Sequence, residues 1–153
     1  MKKIAGAIAS IAALSLAAPA AAQDIPVLVE EAAAAGWAYG DNGNITTPQT
    51  DSEEADCGST WLMLDKAYSE GSFDADLVAA MPAQMNPSAA KKELSAWAKR
   101  LEKRLGDPMA AFQAGVADKR YYGMQLGKAA AGDPQAMFIL AWNTRGCLIA
   151  TAE

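Results

Sequence analysis

The chain has 153 residues, 18 acidic and 13 basic side chains, and no histidine. That length suits one ordinary hydrophobic core, and without histidine there is no Ser-His-Asp or Cys-His nucleophile pair and no histidine metal site. The excess of acid makes nucleic acid and anionic membrane surfaces poor partners.

Met1-Lys2-Lys3 opens the chain, an uncharged and mostly apolar run follows from Ile4 to Ala18, and Pro19-Ala20-Ala21-Ala22 comes next. A positive start, an apolar stretch too short to span a bilayer comfortably and small residues before Gln23 describe a secretory signal peptide over residues 1–22, expected to be cleaved after Ala22. The remaining residues, 23–153, are expected to form a single α-helical domain, periplasmic or secreted, with no stable membrane insertion after signal removal. Its charge is uneven. Residues 23–86 carry twelve acids against one base, Lys66, whereas residues 87–153 carry six acids against ten bases. The two halves are expected either to close on one another or to present unlike faces to partners.

A helix is expected from Ile25 to about Ala35: Asp24 stands before it, Pro26 suits a first turn, Glu30 and Glu31 lie early, and alanine has the highest intrinsic propensity. Gly36 is expected to end or bend it. Residues 40–52 are rich in turn formers and read as the longest loop. Its Asp41-Asn42-Gly43-Asn44-Ile45 portion looks like the middle of a calcium loop, but that alignment puts Ala38, Gly40 and Gln49 where carboxylate-type ligands belong.

Ser52 or Asp51 is expected to cap the next helix, whose first turn carries Glu53, Glu54 and Asp56. Cys57, Trp61, Leu64 and Tyr68 recur at i, i+4, i+7 and i+11, which places them on one buried face. Gly71 stops this helix. Asp74 is expected to cap a short one with Leu77, Val78 and Met81 on its apolar side and Phe73 stapled on Val78. Met81 and Met85 could offer soft thioethers to cuprous copper, although packing accounts for such a pair as well.

Asn86-Pro87 opens a helix over Ser88–Leu105, with Leu94, Trp97, Leu101 and Leu105 as its expected buried stripe and Ala90 and Ala98 beside them. Its remaining surface carries Lys91, Lys92, Lys99, Arg100, Lys103 and Arg104 against only Glu93 and Glu102. Two readings of this basic face stand: a solvated surface that complements the acidic first half, or a docking surface for an acidic partner or an anionic envelope component. Beyond it, Gly106-Asp107-Pro108-Met109-Ala110-Ala111-Phe112 and Gly132-Asp133-Pro134-Gln135-Ala136-Met137-Phe138 share a helix stop, an Asp cap and a proline at the first helical position. They predict a run of antiparallel helical hairpins.

Lys128-Ala129-Ala130-Ala131, followed by Gly132 to Leu140 in register, resembles one unit of the Sel-like repeats, a branch of the tetratricopeptide-type hairpins, over residues 128–146. Ala141 and Thr144 depart from the family's glycine and tyrosine. The resemblance implies a helical hairpin and an adaptor-like role.

Cys57 and Cys147 are the only cysteines. An even count in an exported chain predicts a disulfide between them, while the absence of a Cys-x-x-Cys spacing and of histidine argues against a metal pair. No glycine-rich nucleotide signature occurs. Material for catalysis reduces to carboxylates, with Asp51, Glu53, Glu54, Asp56 and Asp65 gathered near Tyr68. The macrodipole alone accounts for acids at a helix start. The expectation is therefore a compact all-α bundle of five or six helices arranged as hairpins with one disulfide, acting as a non-catalytic exported interaction protein on an unknown protein partner in the envelope, with no cofactor and no metal. A small carboxylate-dependent hydrolase and a metal or ligand carrier are the alternatives.

Overall fold

The computed structural model describes residues 28–43, 47–107 and 116–148, with the backbone alone for 116–122. The expected signal peptide, the expected beginning of the first helix at Ile25 and the helix start at Pro108 lie outside the described residues. Six α-helices are present among the described residues and no strand: α1 (Val29–Asp41), α2 (Asp51–Ser69), α3 (Ala75–Ala80), α4 (Pro87–Leu105), α5 (Val116–Ala130) and α6 (Pro134–Gly146), with a 3-10 turn at Ala83–Met85 between α3 and α4. None of the described helices is long and apolar enough to cross a membrane.

Local chemistry sets the helix ends. Asn86 accepts from the Ala89 amide and Pro87 occupies the first position of α4, and Asp133 and Pro134 do the same for α6, with Asp133 accepting from Ala136. Asp74 caps α3 through the Leu77 amide. For α2 the cap is Thr50, one residue before Asp51 and two before Ser52, the expected caps: its hydroxyl accepts from the Glu53 amide and the Glu53 carboxylate accepts from the Thr50 amide, a complete capping box. Gly71 follows α2 and Gly106 follows α4 at φ of 67° and 73°, a left-handed backbone that glycine adopts without steric cost.

Helix α1 does not end at Gly36 but runs five residues further. Ala32, Ala33, Gly36 and Gly40 share a buried face that lies against α6, the most extensive helix pairing of the fold. A Cβ added at Gly36 would sit 2.2 Å from the Phe138 carbonyl oxygen, and one at Gly40 would sit 2.8 Å from Cγ of Arg145. Backbones that approach this closely need glycine, and packing gained at the crossing outweighs the propensity lost in mid-helix. Because Gly36 meets Phe138, and Asp41 meets Arg145 at 2.5 Å, α1 and α6 run in parallel. Tyr39 packs on the rings of Phe138 and Trp142, and the Arg145 guanidinium lies over Trp37 at 5.7 Å.

Helices α2 and α4 run antiparallel, with Asp51 and Glu54 beside Arg104 and Arg100. Helices α5 and α6 form a sequential hairpin turned at Gly132, and α5 also leans on α2. The core is continuous from Ala32, Ala33 and Trp37 through Trp61, Leu64, Trp97 and Leu101 to Met137, Phe138 and Leu140. Two expectations for α4 are corrected. Glu93, expected on the outer surface, is 2 % exposed, and Leu105, expected in the buried stripe, is 38 % exposed. The buried side of α4 is centred on Ala90, Glu93, Trp97 and Leu101, with Leu94 only partly buried at its edge.

The expected disulfide joins Cys57 to Cys147 across 90 residues. The Cys147 carbonyl lies past the end of α6, where the helix supplies it no amide, and it accepts from Trp61 Nε1 at 2.9 Å and from Trp97 Nε1 at 2.7 Å. Both indoles are fully buried and would otherwise lack an acceptor.

Replacing both cysteines by serine is expected to cost about 4–5 kcal/mol in urea unfolding, the loop-entropy contribution of so long a closure; unchanged stability would mean that the bond constrains nothing. Gly36→Ala is expected to lower stability by about 1–3 kcal/mol through overpacking, whereas Gly127→Ala on α5, whose added methyl meets nothing within 4 Å, should raise it by about 0.5–1 kcal/mol. Calorimetric melts of the two variants, moving in opposite directions, check the close approach of α1 to α6.

Candidate functional site

Helix α4 divides into three faces. One is buried; a second turns toward α2; the third is solvent-exposed and carries Lys91, Lys92, Lys99 and Lys103. Of the six basic residues singled out on this helix, Arg100 and Arg104 belong to the second face. Arg100 Nη2 lies 2.6 Å and Arg104 Nη1 2.5 Å from Oε1 of Glu54, and Arg104 Nε lies 2.8 Å from Oδ1 of Asp51. Glu54 is 1 % exposed, against 47 % and 43 % for the two arginines, so a buried carboxylate is held by two half-hydrated guanidiniums. The hydrogen bond from Arg100 to Glu54 raises the arginine's already high pKa. Its guanidinium also lies 5.5 Å over the Trp97 ring. This seam is where the acidic first half meets the basic second half.

The carboxylates considered for catalysis are placed by the same helix α2. Glu53 serves the capping box, and hydrogen bonds from the Gln49 and Thr50 amides hold its carboxyl below the usual range. Glu54 and Asp51 are in the seam. Tyr68 donates from its hydroxyl to the Met85 carbonyl, with Met81 Sδ at 2.9 Å, and burial pushes its pKa upward. Met81 is 6 % and Met85 0 % exposed, so both methionines are core side chains around this hydroxyl. Among the described residues no group of three or more Cys, Asp and Glu side chains is arranged to hold a metal ion.

At the N-terminal end of α4 a groove of about 230 Å³ is lined by Ala83, Gln84, Ala89, Lys92, Glu93 and Leu148. It brings together the 3-10 turn, the first two turns of α4 and the residue after the disulfide. Of these residues only Lys92 and Glu93 were conspicuous in the sequence, as charges on a helix face; nothing in the order of residues places Leu148 beside Ala83 and Ala89. The groove adjoins the exposed lysine face rather than the carboxylates of α2. No family model matches this chain, and no curated protein and no solved structure shows significant similarity to it.

Removing both guanidiniums, in the Arg100→Ala/Arg104→Ala variant, is expected to cost about 3 kcal/mol or more, because it strands the Glu54 carboxylate in the interior. Glu54→Ala should cost less, about 1–2 kcal/mol, since the arginines it frees can hydrate. Chemical denaturation in parallel gives the order, and a costlier Glu54→Ala would show that the seam does not depend on burying that carboxylate.

Proposed function

We propose that this is a non-catalytic, exported interaction protein that docks an acidic protein partner on the outer face of α4. The observation that carries the reading is the division of labour on that helix: Arg100 and Arg104 are engaged internally with Glu54 and Asp51, while the side chains of Lys91, Lys92, Lys99 and Lys103 are exposed on its outer surface, accompanied by Glu102. A protein with more acidic than basic residues overall that keeps four lysines together on one helix has a local potential opposite to its net charge, which favours encounter with acidic surfaces. Export rests on the sequence of residues 1–22 and is consistent with the Cys57–Cys147 bond, since disulfides persist in oxidising compartments. The adaptor-like part of the reading draws on the resemblance of residues 128–146 to one Sel-like unit.

The test is capture from the organism's own envelope fraction with the chain beginning at Gln23. Reversing Lys91, Lys92, Lys99 and Lys103 to glutamate should abolish co-purification of a partner while thermal stability changes by no more than about 0.5 kcal/mol per exposed site. Capture of the same partner at undiminished yield by the reversed variant would remove α4 from the interface.

A further inference from the structure

Lys92, Lys99 and Lys103 stand at i, i+7 and i+11, within about 20° of one line along α4, and a rise of about 1.5 Å per residue sets Lys99 and Lys103 about 10 and 16 Å from Lys92. Lys92 also lines the groove at the start of the helix. An extended peptide advances about 3.3 Å per residue and presents every second side chain to the same face, so side chains four and six residues from an anchor, about 13 and 20 Å along, share its face and end within a lysine side chain's reach of Lys99 and Lys103. The groove volume, about 230 Å³, falls below the roughly 300 Å³ at which small-molecule sites begin. Ala83, Ala89 and Leu148 supply apolar lining, and the two charged residues beside them, Lys92 and Glu93, are of opposite sign, so the lining favours no charge and suits an apolar side chain.

Resting on the docking reading above, we infer that the groove is the anchor pocket for an extended acidic segment of the partner: one apolar side chain enters it, and carboxylates four and six residues away, on the same face of the segment, meet Lys99 and Lys103. Charge complementarity along the line of lysines fixes the class of occupant, and the groove at its end fixes the register. Neither feature alone would do both, because lysines on a helix accept any acidic surface and a shallow apolar groove accepts any aliphatic group.

The probe is the blocked heptapeptide Leu-Gly-Gly-Gly-Asp-Gly-Asp, titrated into the isotope-labelled chain beginning at Gln23 and followed by amide shifts. The expected result is perturbation at Ala83, Ala89 and Leu148 together with Lys99 and Lys103. Exchanging the peptide's leucine for glycine should weaken binding about tenfold or more and silence the groove amides. Filling the groove by Ala89→Leu should bring the leucine peptide down to the level of the glycine peptide; Ala83→Leu, at an exposed position, serves the same purpose if α4 is disturbed. Equal binding of the two peptides, still lost on Lys99→Glu/Lys103→Glu, would overturn the anchor pocket and leave the docking face standing. Binding insensitive to those lysines, or no binding of either peptide, would overturn both. If the groove amides respond only after residues 149–153 are deleted, or if the chain self-associates in sedimentation and Ala89→Leu abolishes that, the occupant is this chain itself and the proposal fails.

Discussion

The carbonyl of Cys147 is the point to which the described helices refer. It accepts from indoles on two different helices, Trp61 of α2 and Trp97 of α4, while the sulfur of the same residue is bonded to Cys57 of α2. Three helices thus meet at one residue, and α1 is joined to them through the close crossing of Gly36 on α6. A single buried acceptor serving two large donors constrains the separation and tilt of the helices that carry them far more narrowly than apolar contact does, since hydrophobic burial is non-directional and hydrogen bonds are not. The disulfide acts largely on the unfolded chain, by closing a loop of 90 residues; the two indoles act on the folded one.

That node also explains the placement of the candidate site. With Trp97 committed inward and Arg100 and Arg104 committed to Glu54, the rotation of α4 about its axis is determined, and Lys92, Lys99 and Lys103 are left facing outward. The same constraint brings Leu148, next to the acceptor carbonyl, against the first turns of α4 and so completes the groove. The lysine face and its groove are thus consequences of how the core closes. Three acids of α2 are placed by the core as well: Glu53 caps the helix, and Asp51 and Glu54 neutralise arginines of α4.

Much of the fold could be read from residue order because the signals are local. Periodicity put Cys57, Trp61 and Leu64 on one face, Asp-Pro and Asn-Pro pairs marked two helix starts, and glycines with left-handed backbone marked helix ends. Two misreadings also have local causes. Gly36 looks like a terminator when only propensity is weighed, since nothing nearby in sequence shows that Phe138 will lie against it. Glu93 looks like a surface residue because a charge ordinarily is one, and its position next to Lys92 gives no sign that it falls among Ala90, Trp97 and Leu101 on the inner face.

Helix content, the caps at Asp74, Asn86 and Asp133 and the cysteine pairing were legible in the chain, because each depends on residues within a turn or two or, for the disulfide, on there being only one pair to make. The parallel docking of α1 on α6, the shared acceptor at Cys147, the burial of Glu54 between two arginines and the existence of a groove beside Lys92 were not. Each of these depends on atoms far apart in sequence arriving within contact distance. Such proximity follows from how whole helices pack, a choice that spacing and composition leave open.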